Sequence, residues 1–330
     1  MASISGMRAI FTNPSYDFIG KRRWAYAVSV IVMALGLASI VVKGGLRYNI
    51  DFTGGALAEV RLAQPAPLAA IRARLATVGL GDSIIQIFDN PRDVLIRTHA
   101  GQANASALGR RLTEALDPQR TGAVEIRRVE LVGPQIGAEL RTQALYAVLA
   151  ALVGVLLYVW WRFDFRGGVV TIISLAHDMV ICVGALSLAN REFSLPVLAG
   201  LLTVIGFSVN DRIVMYDRLR EIRSRATVAA MTFAQQVNLA VNQTLSRTVL
   251  TVATVAMSGA MLFLFGGESL QSFGFIILIG ALTGTTSTVY VAAALDVDWS
   301  VWAARHRRSH GGSGGSGRKR RLTATGRPAC

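Results

Sequence analysis

Charged residues are scarce in this 330-residue sequence, at 16% of the chain, and it contains two cysteines. Cys182 lies in an apolar run and Cys330 is the last residue, so we expect neither a disulfide nor a metal site from them. Hydrophobic residues, in contrast, make up 52% of the chain, and its mean hydropathy is +0.45. This composition excludes an ordinary soluble domain and indicates a membrane protein.

Negative charge is also scarce relative to positive charge, and the formal net charge is +14. Such an excess can indicate a nucleic-acid partner, but here many of the basic residues lie in short segments that flank the apolar runs. The cytoplasmic segments of membrane proteins carry this kind of excess of Lys and Arg. We therefore predict contacts with membrane lipids and no nucleic-acid partner.

Six apolar runs are long enough to cross the roughly 30 Å hydrocarbon layer as helices. The first run exceeds the apolar core of a signal peptide, so we interpret it as an uncleaved span. The basic flanks place both termini in the cytoplasm. The predicted organisation is a cytoplasmic N-terminus (1–23), a first transmembrane helix (24–43), an extracytoplasmic domain (44–139), helices 2–4 (140–216), a cytoplasmic loop (217–246), helices 5–6 (247–296) and a basic, Gly/Ser-rich cytoplasmic tail (297–330).

The segment between the first and second spans has the alternating patterns of a small α+β domain. Strands are predicted at 56–62, 83–88, 94–98 and 123–132, with a turn at 89–92, and helices at 67–78 and 103–116. The order β-α-β-β-α-β is that of the ferredoxin-like split motif. The domain has no Gly-rich phosphate loop, no His/Cys metal spacing and no nucleophile elbow, so we interpret it as an interaction domain.

The predicted fold class is therefore an α-helical polytopic membrane protein. It has six transmembrane helices and one α+β ferredoxin-like extracytoplasmic domain inserted between the first and second helices.

The fourth span contains ionisable residues. Asn210, Asp211 and Arg212 lie inside it, and a charge at the centre of such a helix costs about 2.5 to 3.5 kcal/mol on insertion scales. An intramembrane ionisable group is a functional-site hypothesis for that reason. The alternative is a boundary anchor, in which Arg212 and Arg218 extend their side chains to the membrane interface.

Polar residues recur at helical spacing in three consecutive spans, which predicts a buried polar cluster inside the bundle. They are Gly167, Thr171, Ser174 and Asp178, beside His177, in the third span; Thr203, Gly206, Asn210 and Asp217, with Ser208 and Asp211 on a neighbouring stripe, in the fourth; and Arg247, Thr251, Thr254 and Ser258 in the fifth.

Asp211 and Arg247 are the first candidates for proton coupling. Burial favours the neutral form of Asp211, whereas an approaching Arg247 favours the ionised form, so movement of the arginine could load or release a proton. The alternative is a permanent ion pair that tethers the loop between the fourth and fifth spans. We predict no cofactor besides the proton as coupling ion.

His177 and Asp178 form a second candidate, because they lie near the middle of the third span and could relay a proton. The alternative for His177 is a structural hydrogen bond within the bundle.

Several ordered motifs resemble the SecF subunit of the bacterial SecD–SecF protein-export complex, a branch of the resistance-nodulation-division transporter superfamily. The matching residues are Asp51-Phe52-Thr53-Gly54-Gly55 after the first span, the segment 132–137 with Gly133, Pro134 and Gly137 before the second, His177-Asp178 in the third, the segment 206–218 with Gly206, Asp217 and Arg218 in the fourth, and 243–248 at the entry to the fifth. One departure is Phe207, where the family has tyrosine.

The resemblance implies a non-enzymatic inner-membrane subunit that pairs with SecD and associates with the SecYEG channel, with YajC and YidC as further partners. It also implies that the proton motive force pulls preproteins across the membrane at a late step, independent of ATP hydrolysis by SecA, and that preproteins contact the extracytoplasmic domain. Asp211 and Arg247 look like the family's intramembrane polar residues that work with an aspartate of SecD.

Two other functional classes are consistent with intramembrane carboxylates. A proton-coupled half-transporter for small molecules or lipids predicts an apolar cleft in the extracytoplasmic domain. An intramembrane aspartyl protease would use Asp178 and Asp211 as its two carboxylates, but it would be expected to carry a Gly-x-Gly-Asp element, and Asp211 follows Val209 and Asn210.

Overall fold

The computed structural model describes residues 15–88, 90–98, 104–225 and 230–311. Most of the predicted N-terminal segment and of the predicted basic tail lies outside the described residues, as do residues 226–229 of the predicted cytoplasmic loop. In chain order the elements are α1 (Arg22–Val42), α2 (Ile50–Thr53), β1 (Gly55–Leu62), α3 (Leu68–Thr77), β2 (Ile84–Phe88), β3 (Asn90–Thr98), α4 (Ala105–Leu116), β4 (Val124–Val132), α5 (Pro134–Arg162), α6 (Phe165–Leu188), α7 (Leu195–Arg223), α8 (Phe233–Phe265), α9 (Gly267–Thr286), a π-helical segment (Ser287–Ala292) and α10 (Ala293–Gly311).

Six helices have the length and apolar composition needed to cross a membrane, which confirms the predicted number of candidate spans. They are α1, α5, α6, α7, α8 and the continuous helix formed by α9, the π-helical segment and α10. The chain is therefore mostly helical, with one small antiparallel sheet.

Several helices are longer than the apolar runs that predicted them. The predicted cytoplasmic loop 217–246 is largely helical, because α7 ends at Arg223 and α8 begins at Phe233. Thr232 and Gln235 form a reciprocal capping box that fixes this start. The last helix likewise continues to Gly311, into the predicted tail. An apolar run marks only the part of a helix that lies in hydrocarbon, so caps outside the membrane set the true ends.

The α+β domain contains a four-stranded antiparallel sheet in the order β2-β3-β1-β4. One face of the sheet packs on α3 and α4 through a continuous apolar core that includes Ala58, Val60, Leu75 and Leu112. The predicted strands and helices of the domain are all present. The antiparallel pairing of β2 with β3 agrees with the predicted reversal of the chain, but the predicted bounds 89–92 are too long, because β3 already begins at Asn90, which pairs with Phe88.

The domain is fixed to the loop that leads into α7. Asp51 accepts a hydrogen bond from the backbone N–H of Leu195 at 2.9 Å, and so caps a helix whose own N-cap residue, Ser194, makes no side-chain cap. Arg97 of β3 forms a nearly buried ion pair with Glu192 in the same loop. The domain therefore holds the first turn of the helix that carries Asp211.

Two glycine-containing motifs meet backbone to backbone at the same junction. Gly54 has a φ of +71°, and a Cβ atom there would lie 2.8 Å from Cα of Pro134. A Cβ atom on Gly137 would lie 2.9 Å from N of Gly54 and 3.1 Å from C and O of Phe52. These contacts explain why the two motifs need glycine at these positions.

We expect Gly137→Ala to destabilise the protein by about 1 to 3 kcal/mol, because the added methyl group meets backbone that cannot rotate away. The matched control is Gly154→Ala on the same helix, where a Cβ atom would meet nothing within 4 Å. There alanine is expected to be neutral or to stabilise the helix by up to about 1 kcal/mol. Thermal unfolding of the purified full chain in detergent measures both, and equal unfolding temperatures for the two variants would refute the backbone contact.

Candidate intramembrane polar site

The centre of the bundle contains a buried ion pair between Arg212 of α7 and Asp178 of α6. Each side chain is 1% exposed, and Nη2 of Arg212 lies 2.9 Å from Oδ2 of Asp178. Arg212 also donates to Oγ of Ser174 at 2.6 Å and to Oγ of Ser287 at 3.1 Å. The guanidinium group thus connects α6, α7 and the π-helical segment.

Asp178 accepts further hydrogen bonds around this pair. Oγ of Ser208 donates to its Oδ2 at 2.8 Å, and Nδ1 of His177 lies 3.1 Å from its Oδ1. Such a set of polar contacts offsets the cost of burying a carboxylate in a membrane bundle. We call Ser174, Asp178, Ser208, Arg212 and Ser287 the Asp178–Arg212 cluster.

Helical spacing and small residues bring this cluster together. Ser208 and Arg212 are four residues apart on α7, and Ser174 and Asp178 are four apart on α6, so each pair lies on one face. A Cβ atom on Gly284 would lie 3.0 Å from Oγ of Ser208, so that glycine lets α9 approach α7 closely. The π-helical turn begins at Ser287, the residue that binds Arg212.

The sequence interpretation of Arg212 as a boundary anchor is wrong. Its side chain does not extend to the membrane interface, because Asp178 on the neighbouring helix provides a buried counter-ion. Sequence reasoning also missed Ser287, which is one of several neighbouring hydroxyl residues, among them Thr286 and Thr288, with no spacing signal that sets it apart. Nothing in the spacing of α7 alone could identify a partner 34 residues earlier on α6.

Asp211 lies on the same helix but in a different environment. It is 4% exposed, and its Oδ1 accepts a 3.3 Å hydrogen bond from Oγ1 of Thr248 on α8. Among the residues that the structure describes, its Oδ2 has no hydrogen-bond partner. One carboxylate oxygen of Asp211 is therefore buried and unpaired.

Arg247 is exposed, and within the described ranges no ion pair joins it to Asp211. The permanent tether considered from the sequence is thus not formed in this arrangement, and the coupling of Asp211 to Arg247 stays a prediction. The two residues do lie at the same level of the bundle, because Thr248 next to Arg247 contacts Asp211 directly.

A polar face of α7 and α8 points away from the bundle. We define the outward polar face as Thr203, Gly206, Asn210, Arg247, Thr254 and Ser258, all of which are exposed. The hydroxyl groups bond to carbonyls of their own helix, for example Ser258 to Thr254 at 3.0 Å. Asn210 and Arg247 make no such internal bond in the described part of the chain, and both lie beside Asp211 and its contact Thr248.

The remaining candidate residues lie elsewhere. Asp51, Phe52, Thr53, Gly54, Gly55, Gly133 and Pro134 lie at the junction of domain and bundle. Asp217 pairs with Arg162 at 2.8 Å, and Arg218 contacts Gln243 and Glu221, all at the opposite end of the bundle. Across the described residues, no group of three or more His, Cys, Asp or Glu side chains could hold a metal ion.

Comparison with known families identifies one match over most of the membrane region. The family described as "Protein export membrane protein SecD/SecF, C-terminal" matches residues 112–302. That segment contains the Asp178–Arg212 cluster, Asp211 and the outward polar face.

Curated relatives are similar over nearly the whole chain. The protein translocase subunit SecF of Desulfurispirillum indicum is 42% identical over 291 residues, which cover 86% of this chain and 91% of the relative. The SecF proteins of Pseudomonas aeruginosa and Escherichia coli O157:H7 are 38% and 36% identical, over 84% and 85% of this chain and 89% and 86% of the relatives.

Two solved structures share the fold. The crystal structure of SecDF from Thermus thermophilus, described as a translocon-associated membrane protein, aligns with a TM-score of 0.78 and 36% identity over 88% of this chain. A SecDF structure in the super-membrane-facing form aligns with a TM-score of 0.66 and 34% identity over 91% of this chain. This chain spans 39% and 41% of those two chains.

Proposed function

The chain belongs to the SecD/SecF family of protein-export membrane proteins, and we propose that it acts with SecD to assist Sec-dependent translocation, using the proton motive force at a late step independent of SecA ATP hydrolysis. It is a non-enzymatic, multi-pass protein of the inner membrane. The observation that carries the proposal is the outward polar face beside the half-paired carboxylate of Asp211.

This face requires a protein partner in the membrane. Hydrocarbon cannot hydrogen-bond to the Asn210 amide or the Arg247 guanidinium, so polar groups that face it lose the hydrogen bonds that water would supply. Intramembrane polar residues accordingly face protein or water. A second bundle that covers this face removes the cost, and SecD is the proposed occupant because the solved SecDF chains contain further chain beyond the part that this protein matches.

Asp211 is the proposed site of proton coupling. A buried carboxylate oxygen without a donor favours uptake of a proton, and an arginine that moves towards it favours release. Arg247 lies next in sequence to the residue that already contacts Asp211, so a small movement of α8 or of SecD is enough to change their separation. Carrying one charge through 100 mV provides about 2.3 kcal/mol for such a movement.

The α+β domain is the proposed contact for translocating preproteins. Its strand order and its β-α-β-β-α-β sequence of elements support a ferredoxin-like classification. The hydrogen bond from Leu195 to Asp51 gives a physical route by which movement of α7 reaches this domain.

The other end of the bundle carries four arginines, Arg162, Arg166, Arg220 and Arg223. This excess of positive charge supports a cytoplasmic position for that end and for both termini. SecYEG, YajC and YidC are proposed as further partners of the SecD-bound protein.

The half-transporter alternative has less support. The cavity between the domain and the bundle measures about 470 Å³ and is lined mainly by polar and charged side chains, among them Asp51, Arg128, Glu130 and Arg191. Such a lining does not suit an apolar small molecule.

The proposal predicts that SecD covers the outward polar face. With p-benzoylphenylalanine at position 210 or 258, irradiation of membranes containing both subunits should cross-link this chain to SecD. Position 153 is the matched control, because Val153 of α5 is 55% exposed on an apolar surface. Equal SecD cross-linking from position 153, or none from 210 and 258, would contradict the assigned interface.

A further inference from the structure

A cavity of about 830 Å³ lies at the end of the bundle opposite the α+β domain. The α5–α6 connection, the last turns of α7, the start of α8 and α10 surround it. Four arginines line it, namely Arg162, Arg166, Arg220 and Arg223, together with the aromatic rings of Trp161, Phe163 and Phe233. The volume lies in the range of small-molecule sites, roughly 300 to 1,000 Å³.

Two of the four arginines are already neutralised. Arg162 pairs with Asp217 at 2.8 Å, and Arg166 pairs with Asp296 at 3.5 Å. Arg220 and Arg223 are exposed, and the described residues supply no carboxylate partner for either of them. The cavity thus contains two unpaired guanidinium groups.

The acidic residues of the cavity are occupied by other contacts. Asp164 caps α6 through the backbone N–H of Gly167 at 2.6 Å, and Asp296 accepts from Tyr216 at 2.8 Å as well as pairing with Arg166. The ring of Phe233 lies 5.1 Å from the guanidinium carbon of Arg166 and 5.9 Å from that of Arg223. Within the described residues, neither Asp164 nor Asp296 forms an ion pair with Arg220 or Arg223.

Exposed aromatic rings lie beside the cavity. Trp161, which lines it, is 84% exposed, and its neighbours Trp160 and Phe165 are 52% and 54% exposed. Exposed Trp rings at the end of a membrane helix mark the interfacial aromatic belt. A ligand that enters from the membrane at this depth presents its headgroup to the arginines.

We propose that this cavity binds the phosphate headgroup of an anionic phospholipid, with Arg220 and Arg223 as its ligands. Guanidinium groups match phosphate oxygens with paired N–H donors. This match favours a headgroup that contains a phosphodiester over an uncharged headgroup without phosphate. Two unpaired positive charges select a lipid with net negative charge over a zwitterionic one. The bound lipid connects the ends of α7 and α8 to the α5–α6 connection.

The test uses the full chain in neutral detergent and native mass spectrometry to measure binding of phosphatidylglycerol against phosphatidylcholine. We expect preferential binding of phosphatidylglycerol, and we expect Arg220→Gln and Arg223→Gln each to weaken it about tenfold. Arg225→Gln is the matched control, because Arg225 lies at the same helix end, outside the cavity, paired with Glu221 at 2.7 Å. This control should bind the lipid as the unaltered chain does.

Three results would overturn the proposal. Equal weakening by Arg225→Gln indicates diffuse surface charge, and unchanged binding in both cavity variants removes the assigned ligands. Full displacement of phosphatidylglycerol by soluble glycerol phosphate or by an oligoglutamate peptide at equal concentration assigns the site to a soluble anion or an acidic protein segment. Unfolding temperatures of the lipid-free variants establish that each is folded.

Discussion

Asp211→Asn is expected to abolish the uncoupler-sensitive late step of preprotein export, reducing it to the level of cells without the subunit. Asparagine keeps an oxygen that can accept the hydrogen bond from Thr248, but it cannot bind and release a proton. The measurement is completion of export in SecF-depleted cells that carry this chain with its cognate SecD, with and without an uncoupler.

Asp217→Asn is the matched control for this experiment. Asp217 lies on the same helix, but its side chain is 46% exposed and pairs with Arg162 at the end of the bundle. Exposed ion pairs contribute about 0 to 1 kcal/mol, so this variant should export normally. Arg247→Met, alone and together with Asp211→Asn, tests the coupling, and the double variant should be no worse than either single variant if both residues serve one step.

Export restored equally by the unaltered chain and Asp211→Asn would make Asp211 a structural anchor. The proton path would then have to run through SecD or through His177 and Asp178. Unchanged export and proton conductance in Asp211→Asn, Arg247→Met and the double variant would remove the proposed coupling altogether.

The sequence predicts the membrane helices well because their signal is local. Length and apolar composition determine which segments cross a bilayer, and each of the six predicted runs overlaps a different one of the six candidate membrane helices. Helix ends were less predictable, since α8 begins at a capping box formed by Thr232 and Gln235 in a polar stretch. The β3 strand also begins earlier than predicted: Arg61 donates two hydrogen bonds to Asp93 at the last pair between β1 and β3, and Asn90 pairs with Phe88 of β2.

The candidate site could be predicted only in part. Helical spacing identified the polar stripes, but it did not show which stripe faces the interior of the bundle. Helical spacing separates Asn210 from Asp211 by about 100°, yet it does not say which of them faces inward. The structure places Asp211 and Arg212 inside and Asn210 outside. The choice depends on Asp178, a counter-ion on another helix, and such a contact between distant positions has no signature in a single sequence.

Arg212→Met is expected to destabilise the protein by about 3 to 5 kcal/mol, because it leaves the carboxylate of Asp178 buried without its counter-ion. The double variant Arg212→Met with Asp178→Asn removes both charges and should recover most of that loss, since replacement of a whole buried ion pair is often neutral. Arg218→Met is the control, with a partly exposed arginine and an expected effect of about 0 to 1 kcal/mol. Thermal unfolding of the purified chain measures all three variants.

A double variant no more stable than Arg212→Met would mean that Arg212 stabilises the bundle through packing and its hydrogen bonds to Ser174 and Ser287. Recovery in the double variant would instead show that the charge pairing of Arg212 with Asp178 stabilises the bundle.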